Sequence, residues 1–93
     1  MFGVAEMTQA QTITQALAEM ENELLAAIRK HGMPVDYHHG LGVLSEEVHE
    51  LFLEICRKDL AQNPLKIAAE AVQVAAVALK IQMLAMMRAE EKR

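Results

Sequence analysis

The sequence has few aromatic residues and no tryptophan, since its only aromatic rings outside histidine are those of Phe2, Tyr37 and Phe52. Aromatic and β-branched residues are enriched in strands, whereas the Ala, Leu, Met, Glu, Gln and Lys that dominate this chain favour helices. The composition therefore predicts an all-α fold. A length of 93 residues is enough for one domain, which we place at residues 1–93.

Cysteine, basic clusters and uninterrupted apolar runs are also scarce. Cys56 is the only cysteine, which excludes an intrachain disulfide. The net charge of −4 and the scattered basic residues argue against a nucleic-acid duplex as partner. Residues 1–7 lack the features of a secretory signal, and polar residues such as Glu70 and Lys80 interrupt the apolar segment 67–87, which argues against a membrane span. We therefore expect a cytoplasmic protein.

Apolar residues are abundant, at 53% of the chain. A domain of this size has a high surface-to-volume ratio, so its own core can bury only part of this apolar surface. We expect part of the rest to be buried against another copy of the chain.

The helical spacing of apolar residues, together with residues that start or stop helices, predicts three helices. They lie at about residues 7–30, 41–61 and 64–90. Thr8 and Gln11 can form a capping box at the start of the first helix, and Gly32 can end it. Asn63 and Pro64 supply an N-cap and a first-turn proline for the third helix. The short connection before it favours antiparallel packing of the second and third helices as a hairpin.

The segment between the first two helices, residues 32–42, contains three glycines, one proline and the pair His38-His39. This composition predicts a loop of irregular backbone that could form one wall of a pocket. Either loop histidine could contact a nucleobase or a ribose, and Tyr37 could stack on a base.

Acidic residues cluster at helical spacing in the second and third predicted helices. The second contains Ser45-Glu46-Glu47-Val48-His49-Glu50, and the third contains Glu70-Ala71-Val72-Gln73. Residues three and four apart share a helix face, so two adjacent helices of this kind would bring several oxygen ligands into one cleft. Mg²⁺ prefers such ligands, and Mg²⁺ in turn indicates phosphate chemistry.

The segments GVLSEEVHELFLEI and AAEAVQVAAVAL resemble the two acidic motifs of the MazG-type all-α nucleoside triphosphate pyrophosphohydrolases, Glu-Glu-x-x-Glu and Glu-x-x-Asp. The resemblance spans about residues 31–84 and is closer to the small phage-borne and mobile-element members than to the two-domain enzymes. It implies a homodimer or a homotetramer built as a helical bundle, which uses Mg²⁺, or Mn²⁺ in its place, to hydrolyse a (deoxy)nucleoside triphosphate to the monophosphate and pyrophosphate.

The resemblance also implies roles for individual residues. Glu47, Glu50 and Glu70 would bind the metal, and Glu46 would orient or deprotonate the attacking water. Gln73 stands where the family has Asp, and its amide oxygen can bind Mg²⁺ without adding a negative charge. Further candidates for substrate contacts are Lys66, Arg57, Lys58, His38, His39 and Glu54, together with Lys80. We expect Lys66 to be the principal phosphate contact among the lysines, and Glu54 to replace part of the missing Asp charge.

Other interpretations of the same residues stay open at this point. The glutamates of the second helix could form a solvated surface, Glu70 could pair with Lys66, and His38, His39 and His49 could bind a transition metal. For the whole protein, the alternative to an enzyme is a catalytically weak or inactive helical oligomer that binds nucleotides or regulates a partner. Gln73 is the residue that separates these two functions.

Overall fold

The computed structural model of this chain describes residues 6–57 and 62–92 and contains three helices. They are α1, Gln9–His31; α2, Tyr37–Ile55; and α3, Pro64–Glu91. The described residues outside the helices form turns, bends and irregular segments, without any strand. The all-α prediction is confirmed.

Local hydrogen bonds fix both ends of α1, as the sequence predicted. Thr8 Oγ1 accepts from the Gln11 backbone at 3.1 Å, and the Thr8 backbone donates to Gln11 Oε1 at 2.8 Å, which completes the capping box. At the other end, the Gly32 backbone donates to the Ile28 carbonyl at 2.7 Å. Gly32 has a φ of 71°, which glycine adopts without steric cost and which ends the helix.

Helix α2 begins at Tyr37, four residues earlier than predicted. Asp36 is its N-cap, because Asp36 Oδ1 accepts from the His39 backbone at 2.7 Å. The prediction of an irregular loop over residues 32–42 is therefore wrong beyond residue 36, and both His38 and His39 lie in the first turn of α2. Packing against α3 explains why a glycine occupies this helical position. Gly40 is buried, and a Cβ there would lie 2.8 Å from Ile81 Cγ1. Only glycine allows α2 to approach α3 this closely.

The end of α2 also differs from the prediction of about residue 61, because the helix ends at Ile55 with Cys56 as its C-cap. Gln62 Nε2 donates to the Ile55 carbonyl at 2.8 Å, which satisfies one of the free acceptors at the helix end. Residues 58–61, where the rest of the predicted helix falls, lie outside the described residues.

Helix α3 begins where the sequence predicted, at Pro64. Asn63 Oδ1 accepts from the backbones of Leu65 and Lys66, at 3.1 and 3.3 Å. The helix continues to Glu91, one residue beyond the prediction.

Helix α3 packs against both α1 and α2, and the apolar core lies along it. Among the described residues the buried hydrophobic side chains are Ala76, 1% exposed, and Leu84, 9% exposed. The chain has an accessible surface of 7485 Å², whereas a compact monomer of 10.3 kDa would have roughly 5,400 Å². Its radius of gyration of 16.3 Å likewise exceeds the roughly 12 Å expected for a compact chain of this length.

Of the described helices, α3 alone is long and apolar enough to cross a membrane by length and composition. The central helix of a helical bundle has the same properties, so this finding does not establish a membrane location.

Candidate metal centre and cleft

Three carboxylates from two helices converge beside the contact between α2 and α3. One oxygen each from Glu47, Glu50 and Glu70 lies within 4.8 Å of the other two. Glu47 and Glu50 are three residues apart on α2 and therefore share a face, while Glu70 reaches them from α3. Glu50 is exposed, and the other two carboxylates are half-buried. The geometry brings together the three residues that the sequence predicted as acidic metal ligands.

The crowding of negative charge changes the ionisation of Glu47. Burial is the largest cause that raises the pKa of Glu47 above its usual value of 4.5. The neighbouring charges of Glu50 and Glu70, a side-chain hydrogen bond with Glu50 and the charge of Glu46 raise this pKa further. The ionised form of Glu47 is therefore less favourable here than in water, and a nearby positive charge would favour it. A divalent cation would supply that charge, and carboxylate oxygens are the ligands such a cation prefers.

Glu46 and Gln73 lie next to this cluster without belonging to it. Glu46 is exposed and influences Glu47 through its charge. Gln73 is half-buried, follows Glu70 on α3 by three residues, and lines the cleft that Glu47 also lines. Its amide carries an oxygen of the kind that can bind a cation without adding a negative charge.

A cleft of about 550 Å³ extends from Glu47 towards the C-terminal end of α1. Helix α1 contributes Glu23 and Lys30 to its lining, and sequence reasoning placed no site residue on this helix. Their seven-residue separation puts them on one face of α1, and this spacing is the sequence feature that could have identified them as cleft residues. Apolar residues form much of the remaining lining, among them Met33, Pro34, Val43, Ala76 and Val77.

Lys80 is the buried cation of this cleft. It is 8% exposed, lines the cleft, and donates from Nζ to the carbonyl oxygen of Ala27 at 3.3 Å. Among the described residues, no carboxylate forms an ion pair with it.

Lys66, the lysine that the sequence favoured for phosphate contacts, has another partner. Its Nζ lies 4.0 Å from Glu54 Oε2, and Arg57 Nη1 lies 3.6 Å from Glu54 Oε1. Glu54 is buried at 8% exposure, so its negative charge is offset by two cations of this chain. Glu54 is not a member of the three-carboxylate cluster, and the charge-replacing role expected for it stays a prediction. Lys58 lies outside the described residues.

None of the histidines in the described part of the chain belongs to a group of three or more side chains that could hold a metal ion. His39 lines the cleft, and its Nδ1 accepts from the Val35 backbone at 3.0 Å, which leaves Nε2 as the ring donor of the neutral form. His38 is exposed in the same turn, and His49 stacks against Phe52 with ring centroids 6.3 Å apart. Tyr37 is covered on one face by the Arg88 guanidinium, 4.9 Å from the ring centroid.

Comparisons of this chain with protein-family models, with curated proteins and with solved structures found no match. The resemblance to MazG-type enzymes is therefore carried by the sequence motifs alone.

Proposed function

We propose that this protein hydrolyses (deoxy)nucleoside triphosphates to the monophosphate and pyrophosphate with the help of Mg²⁺, or of Mn²⁺ in its place. The observation that carries the proposal is the convergence of oxygens from Glu47, Glu50 and Glu70 within 4.8 Å, in a cluster whose member Glu47 also lines the cleft. The resemblance of the two acidic motifs to MazG-type enzymes supplies the reaction class.

In this proposal the protein's own residues bind the metal and position the water. Glu47, Glu50 and Glu70 would bind the cation, and Gln73 would add its amide oxygen. The bound cation would neutralise phosphate charge and lower the pKa of the attacking water. Glu46, which is exposed and next to Glu47 in sequence, would orient that water or accept its proton.

The cleft supports a nucleotide as substrate. Its volume of about 550 Å³ lies within the range of small-molecule sites, roughly 300–1,000 Å³. The apolar side chains of Met33, Val43 and Val77 offer contact area for a nucleobase, and His39 Nε2 offers a hydrogen-bond donor at the same wall.

The proposed architecture is an antiparallel hairpin of α2 and α3 within a homodimer or a homotetramer. The order of contacts supports the hairpin, because Gly40 lies against Ile81 whereas Glu54 pairs with Lys66. The excess of exposed surface supports the oligomer, since Phe52, Leu53 and other large apolar side chains of the described residues are more than half exposed.

We also propose a cytoplasmic location, where nucleoside triphosphates are found. The charges of Glu70 and Lys80 on α3 favour this location over a membrane, because a charged side chain is costly in hydrocarbon.

The second candidate function is a catalytically weak oligomer that binds nucleotides or regulates a partner. Gln73 favours it, because an amide supplies neither the charge nor the base that Asp would supply.

Incubation of the purified full chain with a panel of NTPs and dNTPs, with pyrophosphate as the readout, separates the two functions. The enzyme proposal predicts Mg²⁺-dependent pyrophosphate release that Glu50→Gln abolishes and that Glu21→Gln, an exposed change on α1, preserves. Nucleotide binding without pyrophosphate release would instead support the second function.

A further inference from the structure

We propose that Lys80 forms a phosphate-binding subsite in the cleft and that this subsite takes the end of the substrate that leaves as pyrophosphate. This inference rests on the proposed function for the identity of the substrate. The subsite itself follows from the burial and bonding of one lysine.

The ammonium group of Lys80 has three hydrogen-bond donors, and only one of them has an acceptor among the described residues. Lys80 is more than nine-tenths buried, and its one hydrogen bond within the described residues, to the Ala27 carbonyl, is long at 3.3 Å. An ammonium can make three such bonds and loses strong hydration when it is buried. Since no carboxylate of the described residues pairs with it, the cleft that it lines is where a further acceptor can bind.

The alternative is a purely structural role, in which Lys80 only links α3 to α1 through its hydrogen bond. Ala27 lies near the C-terminal end of α1, where the helix dipole favours a positive charge. That role uses only one of the three donors. A nonpolar residue in contact with α1 would also cost less free energy to bury than a charged one. The remaining donors and the position on the cleft wall are explained by an anionic ligand.

The position of Lys80 along α3 indicates which part of a nucleotide it meets. Ten residues separate it from Glu70, which is roughly 15 Å along a helix. A phosphate chain whose α-phosphate lies at the carboxylate cluster can therefore extend towards Lys80. A nucleobase oxygen or ring nitrogen can also accept from an ammonium, but a phosphate oxygen carries negative charge and forms the stronger, charge-assisted bond with it.

In the reaction, an oxygen of water forms a bond to the α-phosphorus, and the bond from the α-phosphorus to the bridging oxygen breaks. The electron pair of that bond remains on the departing pyrophosphate, while a proton of the water is released. Lys80 stabilises the negative charge that accumulates on the departing group by hydrogen bonding. Lys80 thus binds both the substrate and the product.

The test is binding of inorganic pyrophosphate to the full chain in the presence of a metal chelator, measured by calorimetry. Lys80→Met should weaken binding by at least about tenfold, and Lys80→Arg should restore most of it. Lys92→Met is the matched control, because it removes the same charge at the end of α3, and it should bind pyrophosphate as the wild type does. Equal binding by Lys80→Met and the wild type, or no binding by the wild type, overturns the inference.

A measurement on the wild type covers the case in which Lys80→Met fails to fold. Pyrophosphate should shift the side-chain NMR signals of Lys80 and leave those of Lys92 in place, and the reverse pattern overturns the inference. The two proposals fail separately. Lys80-dependent pyrophosphate binding without nucleotide hydrolysis would refute the proposed enzyme alone, and hydrolysis without Lys80-dependent binding would refute this subsite alone.

Discussion

Glu47 of α2 and Glu70 of α3 bring carboxylate oxygens within 4.8 Å of each other, although 22 intervening residues separate them in sequence. Two like charges at this distance repel each other unless a proton or a cation lies between them. The sequence of each helix alone gives no reason for this placement. The packing of α2 against α3 therefore creates the pair of like charges that the proposed cation would offset.

The first prediction concerns stabilisation by Mg²⁺. A cation that binds only the folded protein stabilises it by about 1.4 kcal/mol at ten times its Kd, which is roughly 6–11 °C in Tm for a domain of this size. Glu70→Gln should lose most of this shift, because it removes the only acidic ligand that α3 contributes to the cluster. Glu21→Gln, an exposed change on α1, should keep it. Differential scanning calorimetry with Mg²⁺ and with chelator measures both variants, and an undiminished shift in Glu70→Gln would refute the prediction.

The second prediction concerns pH. The pKa of Glu47 is raised in the folded protein, so its contribution to stability is fully present below about pH 4.5 and is lost as pH rises through the folded-state pKa. In metal-free protein, Glu47→Gln should therefore become more stable relative to the wild type as pH rises from 4 to 7. Urea unfolding in chelator at both pH values tests this. A stability difference that is the same at pH 4 and pH 7 would contradict the assigned direction.

The third prediction concerns the close approach of α2 to α3 at Gly40. A Cβ at Gly40 would lie 2.8 Å from Ile81 Cγ1, so Gly40→Ala should destabilise the protein by about 1–3 kcal/mol. A Cβ at Gly42 would point into open space, with no neighbouring group within 4 Å, so Gly42→Ala should stabilise α2 by about 0.5–1 kcal/mol. Chemical unfolding of both variants tests this contrast, and the same sign of change in both would show that the two helices do not approach as described.

Sequence reasoning succeeded where local rules decide the structure. The Thr8 capping box and the Asn63 N-cap fixed the starts of α1 and α3, because both depend on residues next to each other in sequence. It failed at the start of α2, where the glycines wrongly predicted a loop. Contact between Gly40 and Ile81 outweighs the low helix propensity of glycine, and sequence alone does not show that contact.

The candidate site was likewise predictable from the sequence only where local spacing decides it. Helical spacing was enough to put Glu47 and Glu50 on one face of α2, and the structure adds Glu70 to them. Spacing could not show that Lys66 pairs with Glu54, since that pair depends on how α2 and α3 align. The burial of Lys80 in the cleft, which follows from the packing of α3 on α1, was equally hidden.

The fourth prediction concerns Gln73, which lies three residues after Glu70 on the helix that lines the cleft. Gln73→Asp adds a negative charge next to the cluster and should lower the apparent Kd for Mg²⁺ by roughly three- to tenfold. Gln73→Asn has the same length as the Asp variant without the charge, so it should not tighten binding. Titration of both variants with Mg²⁺ measures the effect. An equal change in the two variants would assign it to side-chain length rather than to charge.

The central claim is that carboxylates from α2 and α3 bind one divalent cation, and anomalous diffraction from crystals of the full chain grown with Mn²⁺ tests it most directly. The account predicts a Mn²⁺ peak in bonding contact, at about 2.0–2.4 Å, with oxygens of Glu47, Glu50 and Glu70. A peak bound elsewhere, or no peak beside these three side chains at saturating Mn²⁺, would contradict it.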